Sequence, residues 1–531
     1  MSHPRRRAMQ VNRSLLMSLL LASACVANNA DVNKETLAQG DSDSSGSEDG
    51  SGDVSDGGYE WKLDLASEQD AGDEAEQASE DVDPNARDVL SEEVGCIADT
   101  PSKLTLSPGD ANSMSVPVRV RDAVLNGWSL LSMISLPSWE FFNFYGFPYA
   151  PAVDGDPRVA VELVRTGDGD EEYVVQIGVV GPTLTNDARS DVSLTVVVDT
   201  SASMQGTPFE LVRASYRSMA GNLRLGDRVS LVTWNAKNRI VLDDYQVIGP
   251  NDPLLLATLD SLMPDGSTDF SGALDAAYDV ASRSYDPARL NRVVVFSDGG
   301  SGAGQDQLDR VSAAAQGASE VGVEGVLLVG VGVGTTQVYQ PGPVELLGDV
   351  GMGGSLFVAT MDDAQRMLGE HFLATFVIGA RDVSIELELP PGFVVMGGMR
   401  STTQEPFPPQ PLAVNDTMVV HETIRTCAAS ALTEDSKLLV RLHYAEASTL
   451  VVRTVVHEAK FVDLLAAPSV WLHKGRAIRA YVDALRTYRH PRDPDERVSA
   501  VTRALQLLEV AEHYLTDDRE LEDIRAVLER L

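Results

Sequence analysis

Between residues 191 and 375, short apolar runs alternate with amphipathic stretches, and this alternation restricts the possible folds more than any other feature. The apolar runs are L-T-V-V-V, R-V-S-L-V-T-W, R-V-V-V-F, G-V-L-L-V-G-V-G and S-L-F-V-A; the amphipathic stretches include 209–223, 270–284 and 308–321. Strands that are apolar along their whole length are typical of a mostly parallel sheet with helices on both faces. We therefore predict a doubly wound, Rossmann-like α/β domain over 191–375. R-I-V-L-D-D, soon after R-V-S-L-V-T-W, predicts an antiparallel edge strand.

The segments that flank this domain have different patterns. Residues 97–190 contain V-A-V-E-L-V-R and Y-V-V-Q-I-G-V-V, whose alternation predicts a β-rich region. Residues 376–465 carry several runs such as K-L-L-V-R-L-H-Y, and we predict antiparallel strands that form a β-sandwich, shared with the strands before residue 191. In 466–531 apolar residues recur at intervals of three and four, which predicts a helical region.

An aromatic stretch, W-E-F-F-N-F-Y-G-F-P-Y, occupies residues 139–149. Such a density of aromatic side chains has two explanations, a surface that binds a ligand or a buried plug between domains. We favour the plug.

The N-terminus has the pattern of an export signal over residues 1–25. Arginines precede S-L-L-M-S-L-L-L-A-S-A-C, an apolar stretch of signal-peptide length that is too short for a stable membrane span. Its end, A-S-A-C, resembles the bacterial lipobox, in which the cysteine becomes the lipidated first residue of the mature protein. This resemblance makes Cys25 the lipidation site, although Ala22 stands where leucine is usual. Cleavage by ordinary signal peptidase near an A-x-A site is the alternative.

Residues 26–96 are predicted to be a disordered acidic tether. Residues 31–95 hold 21 acidic and 3 basic side chains, and the whole chain has a net charge of -37. High charge with low hydrophobicity is typical of disorder. A chain this acidic is a poor ligand for phosphate backbones, so we expect no nucleic-acid binding.

The chain contains three cysteines, an odd number for an exported protein. If Cys25 carries lipid, then Cys96 and Cys427 are left and can pair in an oxidising compartment. Such a disulfide would connect the two flanks of the α/β domain. Two cysteines cannot form a zinc site by themselves, and the eight histidines have no zinc-binding spacing.

Oxygen-bearing side chains occur in three segments, each at the end of an apolar strand or at the start of a helix beside one. Asp199, Ser201 and Ser203 come at the end of L-T-V-V-V-D-T-S-A-S-M, Thr268 lies in D-G-S-T-D-F, and Asp298 closes R-V-V-V-F-S-D. Ligands of doubly wound sheets bind outside the carboxyl ends of the strands, where these segments are expected to meet. Hydroxyl and carboxylate oxygens suit Mg²⁺, Mn²⁺ or Ca²⁺. We expect Mg²⁺, and because only two carboxylates neutralise it, the ion should still attract an acidic group from outside.

These residues and their spacing resemble the metal-ion-dependent adhesion site of the von Willebrand factor type A domain, and the resemblance covers residues 191–375. It implies that Ser201, Ser203 and Thr268 supply hydroxyl ligands, and that Asp199 and Asp298 bind directly or through water. It also implies a protein partner that presents an acidic residue to the metal. Ala202 stands where many members of the family have glycine.

The flanks resemble a group of bacterial type A lipoproteins that are often labelled calcium-activated chloride channel homologues. The resemblance rests on E-F-F-N-F-Y-G-F-P-Y-A-P before the domain and F-V-I-G-A-R-D-V-S-I-E-L-E-L-P-P after it, and spans residues 125–531. Val26 follows the lipobox cysteine, where aspartate would favour the inner membrane. By this analogy we expect a cell-envelope lipoprotein of the outer membrane, on its periplasmic or surface face.

The predicted function is therefore binding of protein partners through a metal ion, without catalysis. G-V-G-V-G-T-T lacks the spacing of a dinucleotide loop, no G-K-S or G-K-T is present, and no histidine can be assigned as a base to Ser201. Two alternatives stay open: an envelope scaffold in which the metal is only structural, and an enzyme.

Overall fold

The computed structural model describes residues 101–106, 112–152, 155–166, 172–299, 302–317, 325–398, 409–426, 432–447, 449–490 and 493–531. The predicted signal peptide and tether, and Cys25, Cys96 and Cys427, lie outside these residues.

The strands are β1 (Ser102–Leu106), β2 (Arg158–Arg165), β3 (Glu172–Val180), β4 (Val192–Asp199), β5 (Arg228–Trp234), β6 (Asn238–Gln246), β7 (Leu290–Ser297), β8 (Leu327–Val333), β9 (Met352–Val358), β10 (Ile378–Leu389), β11 (Phe393–Gly398), β12 (Gln410–Ala413), β13 (Thr417–Thr426), β14 (Lys437–Glu446) and β15 (Val452–Lys460).

The helices are α1 (Ser115–Leu125), α2 (Ser138–Phe144), α3 (Thr207–Ala220), α4 (Pro253–Asp260), α5 (Phe270–Arg283), α6 (Gln305–Gln316), α7 (Pro341–Val350), α8 (Met361–Gln365), α9 (Phe372–Phe376), α10 (Phe461–Ala466), α11 (Val470–Arg489), α12 (Pro494–Tyr514) and α13 (Arg519–Leu528). A π-helical turn, Arg366–Glu370, lies between α8 and α9.

A six-stranded sheet with the order β6-β5-β4-β7-β8-β9 forms the predicted α/β domain. Its strands pair in parallel except for β6, which runs antiparallel to β5 at one edge. All eight residues of β4 are buried, because helices cover both faces of the sheet. The chain leaves β4 towards β5 and later returns to its other side as β7, so the order of strands reverses beside β4. The doubly wound fold and the antiparallel edge strand are confirmed.

Two antiparallel sheets form the predicted sandwich. The five-stranded sheet has the order β1-β10-β14-β15, with β12 paired to β10, and the four-stranded sheet has the order β11-β13-β3-β2. Strands from before and after the α/β domain therefore pair, as β13 does with β3 from Thr417↔Val180 to Arg425↔Glu172. Inward side chains of both sheets share one apolar core that includes Tyr173, Ile385 and Phe461.

The region before the α/β domain also contains α1 and α2, which the alternation of its strands does not predict. The aromatic stretch begins within α2 and is mostly buried, and Phe141 and Tyr145 are 0% and 2% exposed. Phe141 meets Tyr481 of α11 edge to face, with ring centroids 5.6 Å apart. Since the same apolar core contains residues of the six-stranded sheet and of the C-terminal helices, the aromatic stretch acts as a plug between them.

Candidate metal centre

The candidate centre lies at the carboxyl end of the six-stranded sheet, beside the point where the strand order reverses. Asp199 is the last residue of β4, and Asp298 follows the last residue of β7. Since β4 and β7 are adjacent and parallel, both carboxylates reach the same edge of the sheet. Both residues are buried, Asp199 at 2% exposure and Asp298 at 8%.

Hydrogen bonds connect four of the five predicted site residues. The backbone N–H of Ser201 donates to Asp199 Oδ1 at 2.8 Å. The hydroxyl oxygens of Ser201 and Ser203 are 3.1 Å apart, and Ser203 Oγ donates to Asp298 Oδ1 at 3.2 Å. Three side-chain oxygens from two separate loops therefore lie side by side.

Thr268 belongs to a third loop, which backbone hydrogen bonds connect to the loop of Ser201 and Ser203. The N–H of Ala202 donates to the carbonyl of Gly266 at 3.0 Å, and the N–H of Asp265 donates to the carbonyl of Thr200 at 2.8 Å. The indole N–H of Trp234 donates to Thr268 Oγ1 at 3.1 Å, which orients the hydroxyl. Within the described residues, no hydrogen bond joins this hydroxyl to the other four side chains. The structure thus places Thr268 beside the cluster but outside its hydrogen-bonded chain.

The two carboxylates are in an environment that disfavours their charge. Burial raises the pKa of Asp199 above its ordinary value, while hydrogen bonds from Ser201 and Ser297 oppose this effect and Asp298 adds to it. Burial likewise raises the pKa of Asp298, and the hydrogen bond from Ser203 opposes it. No basic side chain in the described part of the chain bonds to either carboxylate, and a bound cation would stabilise the charge of such a buried pair.

The donor set fits a hard divalent cation. Its ligating atoms are all oxygens, two carboxylates and three hydroxyls, as Mg²⁺, Mn²⁺ and Ca²⁺ prefer. In the described part of the chain, no group of three or more His, Cys, Asp and Glu side chains is placed to hold a metal. The candidate centre instead depends on hydroxyls beside two acidic residues.

Two supporting residues were not singled out from the sequence. Ser297 Oγ donates to Asp199 Oδ2 at 2.8 Å, so both oxygens of that carboxylate are held. Gly299 has φ +115°, and a Cβ there would come within 2.6 Å of Gln340 Cβ. Both residues adjoin Asp298 in S-D-G, and this adjacency was the only available signal.

An open groove adjoins the centre. It has a volume of about 510 Å³, and Ser203 and Asp298 lie in its wall together with Gln205, Thr207, Pro208, Thr335, Val338 and Gln340. Ser203 and Thr268 are exposed, whereas Asp199 and Ser201 are buried. Ser203 therefore lies where an external group that enters the groove can reach the centre.

Comparison with known proteins finds a family match for the central region. The model of the von Willebrand factor type A domain family matches residues 193–366. Domains of this family commonly carry a divalent cation at a metal-ion-dependent adhesion site and mediate protein interactions. Uncharacterized protein YfbK of Escherichia coli (strain K12) is 28% identical over 203 residues, which are 38% of this chain and 34% of that protein. The chain thus spans about a third of this relative's length.

Solved structures are also similar. A von Willebrand factor type A protein from Catenulispora acidiphila aligns with a TM-score of 0.41 and 15% identity, over 67% of this chain and 87% of that one. The ArnB paralog VWA2 from Sulfolobus acidocaldarius aligns with a TM-score of 0.36 and 13% identity, over 70% and 96%.

Proposed function

We propose that this chain, which contains a von Willebrand factor type A domain, binds a protein partner through a divalent cation at Asp199, Ser201, Ser203, Thr268 and Asp298. The observation that carries the proposal is the joining of Asp199, Ser201, Ser203 and Asp298 at the carboxyl edge of the sheet, with the exposed Ser203 at an open groove. When bound, the ion supplies an electrophilic centre that can accept an acidic side chain of the partner. The cation we propose is Mg²⁺, with Mn²⁺ and Ca²⁺ as alternatives.

The protein's own residues prepare the site for this role. Asp199 is fixed from both sides by the N–H of Ser201 and the hydroxyl of Ser297, so its orientation does not depend on a partner. The hydroxyl ligands carry no charge. They therefore contribute oxygen donors without repelling an incoming carboxylate, as further acidic ligands would.

The hydrogen bonds of Ser201 and Ser203 favour a binding function over nucleophilic catalysis. Ser201 and Ser203 hydrogen-bond to each other and to the two aspartates. No histidine of the described residues hydrogen-bonds to either serine, so neither has the adjacent base that an activated nucleophile requires.

We also propose that Cys25 carries a lipid that anchors the protein to the outer membrane. The sequence A-S-A-C supports this proposal. None of the described helices combines the length and the apolar character needed to cross a bilayer. Mass spectrometry of the mature N-terminus tests the anchor: a diacylglyceryl-modified Cys25 is expected, and a mature chain that begins downstream of this residue contradicts it.

Metal-dependent capture tests the adhesive function. The full-length protein is cross-linked in envelope extracts with Mg²⁺ or with EDTA, and Ser203→Ala is compared with Asp265→Ala. Asp265 is an exposed carboxylate in the Thr268 loop and takes no part in the oxygen cluster, so its loss is the matched control. We expect partners that disappear with EDTA and with Ser203→Ala but persist with Asp265→Ala.

The same samples separate adhesion from a purely structural ion. If EDTA and Ser203→Ala lower the melting temperature and leave the captured proteins unchanged, the metal only stabilises an envelope scaffold. If capture is lost while the melting temperature of the metal-free protein is unchanged by Ser203→Ala, the ion acts in recognition.

A further inference from the structure

A second cavity lies outside the α/β domain, between the four-stranded sheet and the C-terminal helices. Its volume is about 480 Å³. His421 and Thr423 of β13 form its floor, and Arg476 and Arg479 of α11 and Arg503 of α12 line it from the helical side. Cavities of this size accommodate small organic molecules.

Two of these arginines have no partner among the described residues. Arg479 forms an ion pair with Asp483 at 3.2 Å, one turn along α11. In contrast, no hydrogen bond or ion pair with a described residue engages Arg476, which is half-buried, or Arg503, which is exposed. In a chain with 79 acidic and 42 basic residues, arginines are expected to meet carboxylates. Here Arg476 and Arg503 line one cavity, and neither forms an ion pair with a carboxylate of the described residues.

The cavity lining carries three arginines and three carboxylates, so its positive charge is confined to the two arginines that pair with no described residue. Arg476 is affected by burial and by Arg503, and both lower its pKa. His421 is 5% exposed, and its pKa is lowered to about 3 by burial and by the neighbouring Arg479 and Arg476. The carboxylates of Glu172, Asp483 and Glu496 also line the cavity. Asp483 is already paired with Arg479, and Glu172 is exposed and accepts a hydrogen bond from Thr166.

We propose that this cavity binds a small organic molecule through a phosphate or carboxylate group, with Arg476 and Arg503 as the anchoring residues. A guanidinium presents a planar fork of N–H donors that matches both kinds of oxyanion. Thr423 adds a hydroxyl, and Ala480, Ala484 and Leu507 provide an apolar wall for the rest of the molecule. The site uses no residue of the metal centre.

Thermal unfolding and calorimetry with two simple anions test this site. The full-length protein, stripped of metal with EDTA and then dialysed free of the chelator, is titrated with inorganic phosphate or with succinate at constant ionic strength. Removing the metal keeps the metal centre out of the experiment, and removing EDTA, itself a polycarboxylate, keeps it from competing for the arginines. Arg476→Gln and Arg503→Gln are compared with Arg283→Gln, which removes an exposed arginine of α5 that pairs with Asp243.

We expect one of the anions to raise the melting temperature of the wild-type protein at concentrations up to about 10 mM. Arg476→Gln and Arg503→Gln should each weaken its binding at least about tenfold, and Arg283→Gln should not change it. A phosphate response identifies a phosphorylated ligand, and a succinate response identifies a carboxylic acid. If neither anion stabilises the wild-type protein, or if Arg476→Gln binds as tightly as Arg283→Gln, the proposal is wrong.

Discussion

Asp199 keeps one orientation because each of its carboxylate oxygens accepts a hydrogen bond. Oδ1 accepts from the Ser201 N–H and Oδ2 accepts from the Ser297 hydroxyl, both at 2.8 Å. Burying a carboxylate costs free energy because it loses its hydrogen bonds to water, and these donors compensate for part of that cost. If one donor were removed, the cost would remain and the compensation would be lost. Ser297 is therefore a positioning residue for the candidate centre.

We predict that Ser297→Ala lowers the free energy of unfolding by about 1–2 kcal/mol and weakens Mg²⁺ binding. Ser282→Ala is the control, because Ser282 Oγ donates to a helix carbonyl, Tyr278 O at 2.6 Å, away from the centre. Urea denaturation and calorimetry measure the two effects. Equal behaviour of both variants would show that Ser297 does not hold Asp199.

His421 gives the stability of the protein a pH dependence. Its folded-state pKa is about 3, against an ordinary value of 6.5, chiefly because the ring is buried. The unfolded chain therefore binds the proton more readily. The contribution of the neutral His421 to the free energy of unfolding is therefore fully present above pH 6.5. It is lost as the pH falls from there towards the folded-state pKa.

We predict that between about pH 7.5 and pH 5 the wild-type protein loses about 2 kcal/mol more stability than His421→Gln does. The comparison isolates His421, because the other titrating groups are common to both proteins. Denaturant unfolding at several pH values provides the measurement. Parallel curves for the two proteins would mean that the ring is not held neutral.

At the scale of elements, Lys474 ties α11 to the start of α13. It is 2% exposed, and its ammonium group lies 2.7 Å from Asp518 and 2.6 Å from Glu520. Glu520 also pairs with Arg366 of the π-helical turn and accepts from the Gly146 N–H at 2.8 Å. One charged cluster thus joins the C-terminal helices, the aromatic plug and the last part of the α/β domain.

We predict that Lys474→Met costs about 2–3 kcal/mol of stability, because it leaves two carboxylates close together with less positive charge. Lys460→Met is the matched control, since Lys460 pairs with the exposed Asp435 at 2.9 Å and such surface pairs contribute little. Chemical denaturation compares them. Equal losses would mean that the cluster is no stronger than a surface pair.

An element could be predicted from the sequence where its pattern lies within one short segment of the chain. The strands that flank the metal centre are nearly continuous apolar runs, and D-T-S-A-S and S-D-G mark their ends, so both fold and site residues could be proposed. The helix α1 could not be predicted, because apolar residues alternate in S-V-P-V-R-V as they do in a strand. The segment is helical in the structure, where it packs against β9. Ser297 and the arginine cavity depend on contacts between distant segments, for which one sequence carries no pattern.

At the scale of the molecule, the α/β domain is embedded in the rest of the described chain. The aromatic plug and the C-terminal helices share a core with one face of its sheet, and the sandwich is formed from strands on both sides of the domain. The carboxyl edge of the sheet, in contrast, is left open at the groove beside Ser203. The rest of the described chain therefore packs against the α/β domain away from the oxygen cluster and leaves the carboxyl edge that carries the cluster accessible.

Calorimetric titration with MgCl₂ and MnCl₂ tests whether the oxygen cluster binds a divalent cation. The metal-free full-length protein is compared with Asp199→Ala and with Asp265→Ala. We predict one saturable site in the wild-type protein and in Asp265→Ala, and its loss in Asp199→Ala, which should remain folded by circular dichroism. Binding to Asp199→Ala with wild-type affinity, or no saturable site in the wild-type protein for either ion, would contradict it.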